Sequence, residues 1–236
     1  MPSVRRKTYQ TDPFQNDYFI VNHVRRFLYR NLLEHVTKGI LVADIGCGEQ
    51  PLREEVESLG GTYIGIDITQ NLQKTVQLIG KITNIPLVDR TFDVLFCTEV
   101  LEHVSDTYTA FQELARLVKP GGAIIITTPF AYPLHEEPYD FMRLTPYQIS
   151  ECAVRSGLEI KELNTSGNEV EVLATVWSNM WFRMAPSRNN FARKIWNRLM
   201  CISVNLLAMA GNSILKPILP KKYYLSVLCV LTKPAD

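Results

Sequence analysis

Val42-Ala43-Asp44-Ile45-Gly46-Cys47-Gly48 is the stretch on which the fold turns. From Ile40 to Ile45 the chain is apolar except for one acid, and the run ends in two glycines. It reads as a buried strand. The glycines let the backbone turn sharply and approach a ligand with no Cβ in the way. Outward from it the pattern repeats. Tyr63–Ile66 stops at Asp67, a third run lies near Val76–Ile79, a fourth at Phe92–Cys97, and a fifth at Ala123–Thr128 before Pro129.

Helical segments separate these runs. Tyr18, Val21, Val24, Leu28 and Leu32 recur at helical spacing, with Gly39 just beyond. Shorter helices are predicted over Pro51–Ser58, near Glu102 and over Thr107–Val118, with Lys119-Pro120-Gly121-Gly122 as a turn. Thr145-Pro146 opens another helix, Thr as N-cap and Pro as first helical residue, ending near Gly157. Leu158–Leu163 reads as a sixth strand and Tyr224–Leu231 as the last. Short apolar runs alternating with helices predict an α/β, Rossmann-like fold. The expectation is a seven-stranded, mostly parallel sheet with helices on both faces and a helical insertion, 169–220, before the last strand. Residues 1–16 read as a flexible arm and 17–236 as a single domain.

Composition narrows the class. The chain has 236 residues, 46% apolar and 21% charged, which is ordinary for a globular protein and excludes a disordered or collagen-like chain. The 25 basic and 24 acidic residues balance overall but not locally: residues 169–236 carry a formal +6, the rest −5. An acidic body argues against nucleic acid as a partner of the main domain. Cys47, Cys97, Cys152, Cys201 and Cys229 are scattered, without a CxxC pair, and read as reduced thiols of a cytoplasmic protein. No secretory leader is read in Met1–Gln10, and no apolar run is long enough for a membrane span.

Ligands of open α/β sheets bind beyond the carboxyl ends of the strands. The glycine turn at Gly46–Gly48 with a strand-end acid at Asp67 is a nucleoside-binding constellation. Dinucleotide sites need a third glycine and a helix N-terminus facing pyrophosphate. Here Pro51 stands in that place, and Glu49 adds negative charge beside the turn. A cationic, phosphate-free cofactor suits Asp44 and Glu49 better: S-adenosylmethionine (SAM), with its sulfonium and ammonium.

Four motifs then occur in order. They are Val42–Gly48 with Gly65-Ile66-Asp67, Asn84-Ile85-Pro86-Leu87 with Thr91-Phe92-Asp93-Val94, Thr98-Glu99-Val100-Leu101-Glu102-His103-Val104, and Leu114–Gly122. On these residues the chain resembles class I SAM-dependent methyltransferases, of the group related to the type 11 and ubiquinone-biosynthesis enzymes. The resemblance covers residues 40–128. It implies that Asp44 and the Gly46-Cys47-Gly48 backbone hold the methionine end, that Asp67 binds the ribose and that Ile68 packs on adenine. It implies also that Ile82, Thr83 and Asn84 flank the adenine edge and that Thr98 and Glu99 lie near the methyl. The chain departs from the family pattern at Gln50, where a glycine is usual, and at Lys81, where an acid is usual.

The segment Pro129–Thr145 concentrates a histidine, acids, an arginine and aromatics past the ligand edge. Loops there commonly carry function. His135 is the candidate general base, oriented by Glu136 or Asp140, with His103 as the rival base. Tyr132, Glu136, Tyr139 and Arg143 are candidates to recognise the acceptor. Asp140 and Arg143 read equally well as an ion pair capping the next helix, and Glu102 as an early-helix acid. No metal site is expected, although His135 with Glu136, Glu137 and Asp140 offers one possible ligand set.

Together these readings predict O-methylation of a small-molecule, sugar or lipid-linked glycan acceptor, leaving S-adenosylhomocysteine. A SAM-binding protein without transfer activity, or a protein or N-methyltransferase, is the alternative. Trp177, Trp181, Phe182, Phe191 and Trp196 interleave with Arg183, Arg188, Arg193, Lys194 and Arg198 in the insertion. This reads as a cap over the acceptor, as a peripheral contact at the inner membrane face, or as an oligomer interface.

Overall fold

The computed structural model describes residues 9–184, 190–215 and 217–235. Residues 1–8 of the expected arm and Arg188 lie outside them. The strands are β1 (Leu41–Ile45), β2 (Thr62–Asp67), β3 (Leu78–Ile79), β4 (Phe92–Thr98), β5 (Val118–Pro129), β6 (Glu159–Ser166) and β7 (Ser226–Thr232). They form one sheet in the order β3-β2-β1-β4-β5-β7-β6. Neighbours from β3 to β5 run parallel, and β7 is antiparallel to both β5 and β6. The reversal of strand order beside β1 opens a crevice at the carboxyl ends of β1, β2 and β4, where ligands of such sheets bind.

Both faces of the sheet are covered. Alternate residues Ala43, Ile45, Leu95, Cys97, Ile124 and Ile126 pack one way, against α3 (Thr107–Leu117) and α4 (Pro146–Arg155). Val42, Phe96 and Ile125 pack the other way, against α1 (Tyr18–His35) and α2 (Arg53–Ser58). Ala174 of α5 (Glu169–Arg183) and Ala208 of α6 (Asn190–Leu215) belong to that second layer. Thr145 caps α4 as predicted, its side chain accepting from Gln148 N, with Pro146 in the first turn. All five cysteines are free and buried.

Three expectations change. Lys119–Gly122 is not a turn but the start of β5, because Gly121 N donates to Lys233 O and Lys233 N to Gly122 O, extending the ladder. The segment near Glu102 is a single 3-10 turn, Leu101–His103. Residues 9–16 are not loose. Asn205 Nδ2 donates to the carbonyls of Pro13 (2.7 Å) and Gln15 (3.1 Å), Asn16 Nδ2 donates to Asn179 Oδ1 (2.6 Å), and Tyr9 is buried. This segment is a strap laid between the inserted helices and the end of β4.

Candidate functional site

The cofactor half of the crevice is built from strand ends. Gly46 (φ 72°) and Gly48 (φ 51°) take the left-handed backbone that the turn after β1 requires. A Cβ on Gly46 would lie 2.3 Å from Val100 Cγ2, so the position also excludes side chains sterically. Gln50 adopts the left-handed φ (58°) usual for the glycine it replaces. Its Nε2 donates to Thr75 O and Gln77 Oε1, both at 2.9 Å, which ties the loop after β2 to the turn.

Asp44 is 1% exposed, and Tyr63 donates its hydroxyl to Oδ2 at 2.7 Å. Burial, with the charge of Asp67 in addition, pushes its carboxyl up to about 7 against the Tyr63 bond. A ligand cation beside it would restore the ionised form. Asp67 accepts from Gly48 N (2.9 Å) and Thr69 N (3.1 Å), which orients its carboxylate at the turn. Glu49 Oε2 is buried without a hydrogen-bond partner. Ile68, beside Asp67, is 57% exposed, an apolar surface open at the nucleoside end. An unpartnered buried carboxylate oxygen, a second buried acid short of a counter-charge and an open apolar side chain suit SAM.

After β3, Asn84 N donates to Lys81 O in a turn that carries Thr83, and both Lys81 and Asn84 are exposed. Thr98 and Glu99 end β4. Glu99 sits at φ 55°, held by its N–H to Thr127 O (2.9 Å) and by Thr127 Oγ1 donating to its Oε1 (2.8 Å). A non-glycine residue fixed there stores strain of the kind that clusters at ligand sites. Thr98 Oγ1 accepts a 3.0 Å bond from the buried Tyr9 hydroxyl. Sequence reasoning missed Tyr9, because a lone tyrosine in a basic arm has no periodicity to mark it.

The acceptor half is a knot of side chains. Arg143 grips Asp140 with both Nη1 (2.5 Å) and Nη2 (2.8 Å), and Nη2 also reaches the carbonyl of Tyr132 (3.2 Å). Asp140 Oδ2 accepts from His135 N at 3.0 Å and lies 3.1 Å from His135 Nδ1. Burial opposes ionisation of Asp140, but Arg143 and His135 outweigh it and hold the carboxyl down at about 2. His135 Nδ1 faces only acceptors, Asp140 and the Pro133 carbonyl (3.3 Å), so this nitrogen carries the proton. Its Nε2 lies 3.7 Å from Glu102 Oε1. Burial pulls the imidazole down, yet Glu102 and Asp140 together leave it raised.

His103 is held the same way. Its Nδ1 donates to the Tyr139 carbonyl at 2.9 Å, which leaves Nε2 3.7 Å from the same Glu102 oxygen. The two imidazoles meet edge to face at 4.8 Å, and the Tyr132 ring closes on His135 at 5.3 Å. Glu102 is fully buried and neither of its oxygens has a hydrogen-bond partner. It is no exposed helix-start acid.

Thus His135, His103, Asp140, Arg143 and Tyr132 come together. Glu136 is exposed, so Asp140, and not Glu136, is the group that orients His135. Tyr139 is 63% exposed and gives the cluster its carbonyl. One ligand atom each from Glu102, His103 and His135 lie within 4.8 Å of one another, a set that could hold a metal ion. Glu136 and Glu137, the acids nearest His135 in sequence, are exposed and not part of this set.

A family model described as a methyltransferase domain matches residues 43–126. The ubiquinone biosynthesis O-methyltransferase of Thiobacillus denitrificans is 32% identical over 155 residues, covering 53% of this chain and 67% of that protein. The chain belongs to the SAM-dependent methyltransferases, in the ubiquinone-biosynthesis-like group. Two further relatives align over less of their length. The Xanthomonas oryzae enzyme of the same description is 33% identical over 103 residues, 43% of its chain. The human mitochondrial one is 33% identical over 108 residues, 29% of its chain.

The methyltransferase fold is shared more widely. The [4+2]-cyclase SpnF superposes with a TM-score of 0.62 at 15% identity, over 99% of this chain and 89% of that one. A Haemonchus contortus phosphoethanolamine N-methyltransferase in complex with SAM does so at 0.57 and 16%, over 90% and 52%.

Proposed function

We propose that this methyltransferase acts on a hydroxyl of a small-molecule, sugar or lipid-linked acceptor, with His135 as general base. SAM supplies an electrophilic methyl on a positively charged sulfur. The residues that would hold it are Asp44, the Gly46–Gly48 backbone, Glu49, Asp67 and Ile68, with Thr83 and Asn84 at the adenine edge and Thr98 and Glu99 toward the methyl. In-line transfer is governed by how closely the acceptor atom is placed behind that methyl. A nitrogen acceptor needs little beyond a neutral lone pair, whereas a hydroxyl gains from a base.

The observation that carries this reading is the His135–Asp140 contact of 3.1 Å. It fixes the proton on Nδ1 and leaves Nε2 to take the acceptor proton, with Glu102 stabilising the imidazolium that results. Arg143 holds Asp140, and Tyr132 borders the base. The O-methyltransferase relatives support oxygen as the target. The test is conversion of SAM to S-adenosylhomocysteine against sugars, lipid-linked saccharides, phenols and amines, with the methylated atom located by NMR. Turnover confined to amines or proteins, or SAM binding with no turnover on any acceptor, overturns the reading.

A second reading rests on Glu102, His103 and His135. A divalent cation there would polarise the acceptor oxygen in place of a base. Turnover abolished by a chelator and restored by Mg²⁺ or Zn²⁺ selects it.

We also propose a cytoplasmic protein in peripheral contact with the inner membrane face through the insertion. Within Phe191–Leu215, α6 is apolar and long enough by composition to cross a bilayer, where the sequence reading expected no run of that length. Its other face, with Cys201, Asn205 and Ala208 buried against protein, supports a helix lying along a surface.

A further inference from the structure

Gln50 stands where a glycine is usual, and its surroundings give its side chain a task. β2 and β3 run parallel, and parallel neighbours are usually joined by a helix. Here residues 68–77 join them, and none of these is helical. An irregular link has no ladder of its own, so side chains satisfy its backbone. Gln70 Nε2 donates to Val76 O at 3.1 Å while its Oε1 accepts from Val76 N at 2.8 Å. Asn71 Oδ1 accepts from Thr75 N at 2.9 Å. These bonds fold the link on itself but do not place it in the molecule.

Two side chains place it against the turn after β1. From the turn, Gln50 Nε2 reaches Thr75 O and Gln77 Oε1. From the link, Asn71 Nδ2 reaches Gly48 O at 3.2 Å. Gln50 is buried, and its Oε1 accepts from Arg53 Nη1 at 3.3 Å, so both ends of its amide are used. Gln77 Oε1 accepts in addition from Gly65 N at 2.8 Å. Gly65 is the socket for this arrangement. A Cβ there would lie 2.5 Å from Gln50 Nε2 and 2.9 Å from Gln77 Oε1, so only a bare β2 backbone lets the two amides meet.

The groups proposed for the nucleoside sit where turn and link join. Asp67 accepts from Gly48 N, and Ile68 begins the link. A link free to swing would carry Ile68 away from the Asp67 carboxylate, and ordering it would cost binding energy. We infer that Gln50 is a positioning residue of the cofactor site, tying the link to the turn so that Asp67 and Ile68 are set for the nucleoside before SAM arrives. The inference rests on the cofactor half of the reading above and is independent of the acceptor chemistry.

The test begins with Gln50→Gly, which keeps the left-handed backbone of the turn and removes only the tie. SAM and S-adenosylhomocysteine should each bind about tenfold more weakly by calorimetry, the effect of two lost neutral hydrogen bonds, with kcat at saturating SAM within about twofold. Hydrogen exchange should quicken at Thr75, Val76 and Gln77 in the free variant and slow again with SAM bound. Gln77 separates the tie from simple packing. Gln77→Glu keeps an acceptor oxygen for Gly65 N and Gln50 and should stay within about threefold of the parent, whereas Gln77→Leu should fall about tenfold. If the parent binds no SAM, the cofactor reading itself falls. If the parent binds SAM and Gln50→Gly binds it equally well, or loses kcat at saturating SAM as far as affinity, the positioning role is wrong. It is wrong also if Gln77→Glu falls as far as Gln77→Leu, and that pair decides alone should Gln50→Gly fail to fold.

Discussion

At the ends of β1 and β2 the proposed ligand groups are backbone amides and carboxylates whose places follow from the sheet register. Past β5 they are side chains strung along an irregular segment and joined by an arginine–aspartate clasp. The first half of the crevice is fixed by hydrogen bonds that any sheet of this order makes. Gly46 N and Cys47 N, for example, both donate to Ile66 O, at 2.8 and 3.1 Å. The second half is drawn together by side chains, Asp140 accepting from Arg143 and His135 at once. The contrast separates binding from chemistry: damage to the first half should show in SAM affinity, and damage to the second in turnover.

The sharpest break is Asp44→Asn. It is expected to weaken SAM binding by about thirty- to a hundredfold, since it removes a charged hydrogen-bonding partner. It should not lower the melting temperature of the free protein, because a buried acid without a cation is already a burden. Calorimetry and thermal melting read the two separately, and a variant that binds SAM normally would dissolve the contrast.

The same residue makes a pH prediction. With its carboxyl raised from 3.8 to about 7, SAM affinity should fall about tenfold per pH unit below 7, a dependence that Asp44→Asn removes. For the free protein the sign is opposite. A folded-state value above the unfolded one means stability fully present below about pH 4 and lost as pH rises through 7. Denaturant midpoints between these limits check it.

His135→Ala should lower turnover by about tenfold or more with SAM affinity within about twofold. Equal loss of both would mean that the two halves do not act separately. The smallest effect is expected from Tyr9→Phe. Loss of one buried hydrogen bond, about 1 kcal/mol, should cost about fivefold in SAM affinity or turnover, and which of the two moves shows to which half the strap belongs.

The same contrast governs what could be read from the sequence. Asp44, the glycines and Asp67 were legible because strand ends gather at one edge whatever the loops do. His135, Asp140 and Arg143 were legible as a local crowding of chemistry. Their division of labour was not: Glu136 is next to His135 in sequence but exposed, while Asp140 comes back to it through the Arg143 clasp. Glu102 was ambiguous because only packing buries it.

The length of α6 was hidden for a tertiary reason. Gly211-Asn212 reads as a stop, yet Asn212 Nδ2 donates to Glu171 Oε1 at 2.8 Å, and a Cβ on Gly211 would meet Val170 at 3.5 Å, so packing on α5 carries the helix through. Tyr9 could not be found at all, since its hydroxyl's partner, Thr98, is 89 residues away and the strap that carries it is held by Asn205.

The antiparallel pairing of β6 with β7 places Ser166 opposite Ser226, at the point where the chain leaves the sheet for the helical pair and returns. Strands so related can be joined by a tight hairpin. The helical pair is therefore an excursion at a seam where the sheet itself needs only a turn, although Ala174 and Ala208 pack into the second core layer. Such a seam lets the outer module be lengthened or replaced without altering the sheet register, and a shortened chain with a two-residue link would show how far the strap, which Asn179 and Asn205 hold, depends on it.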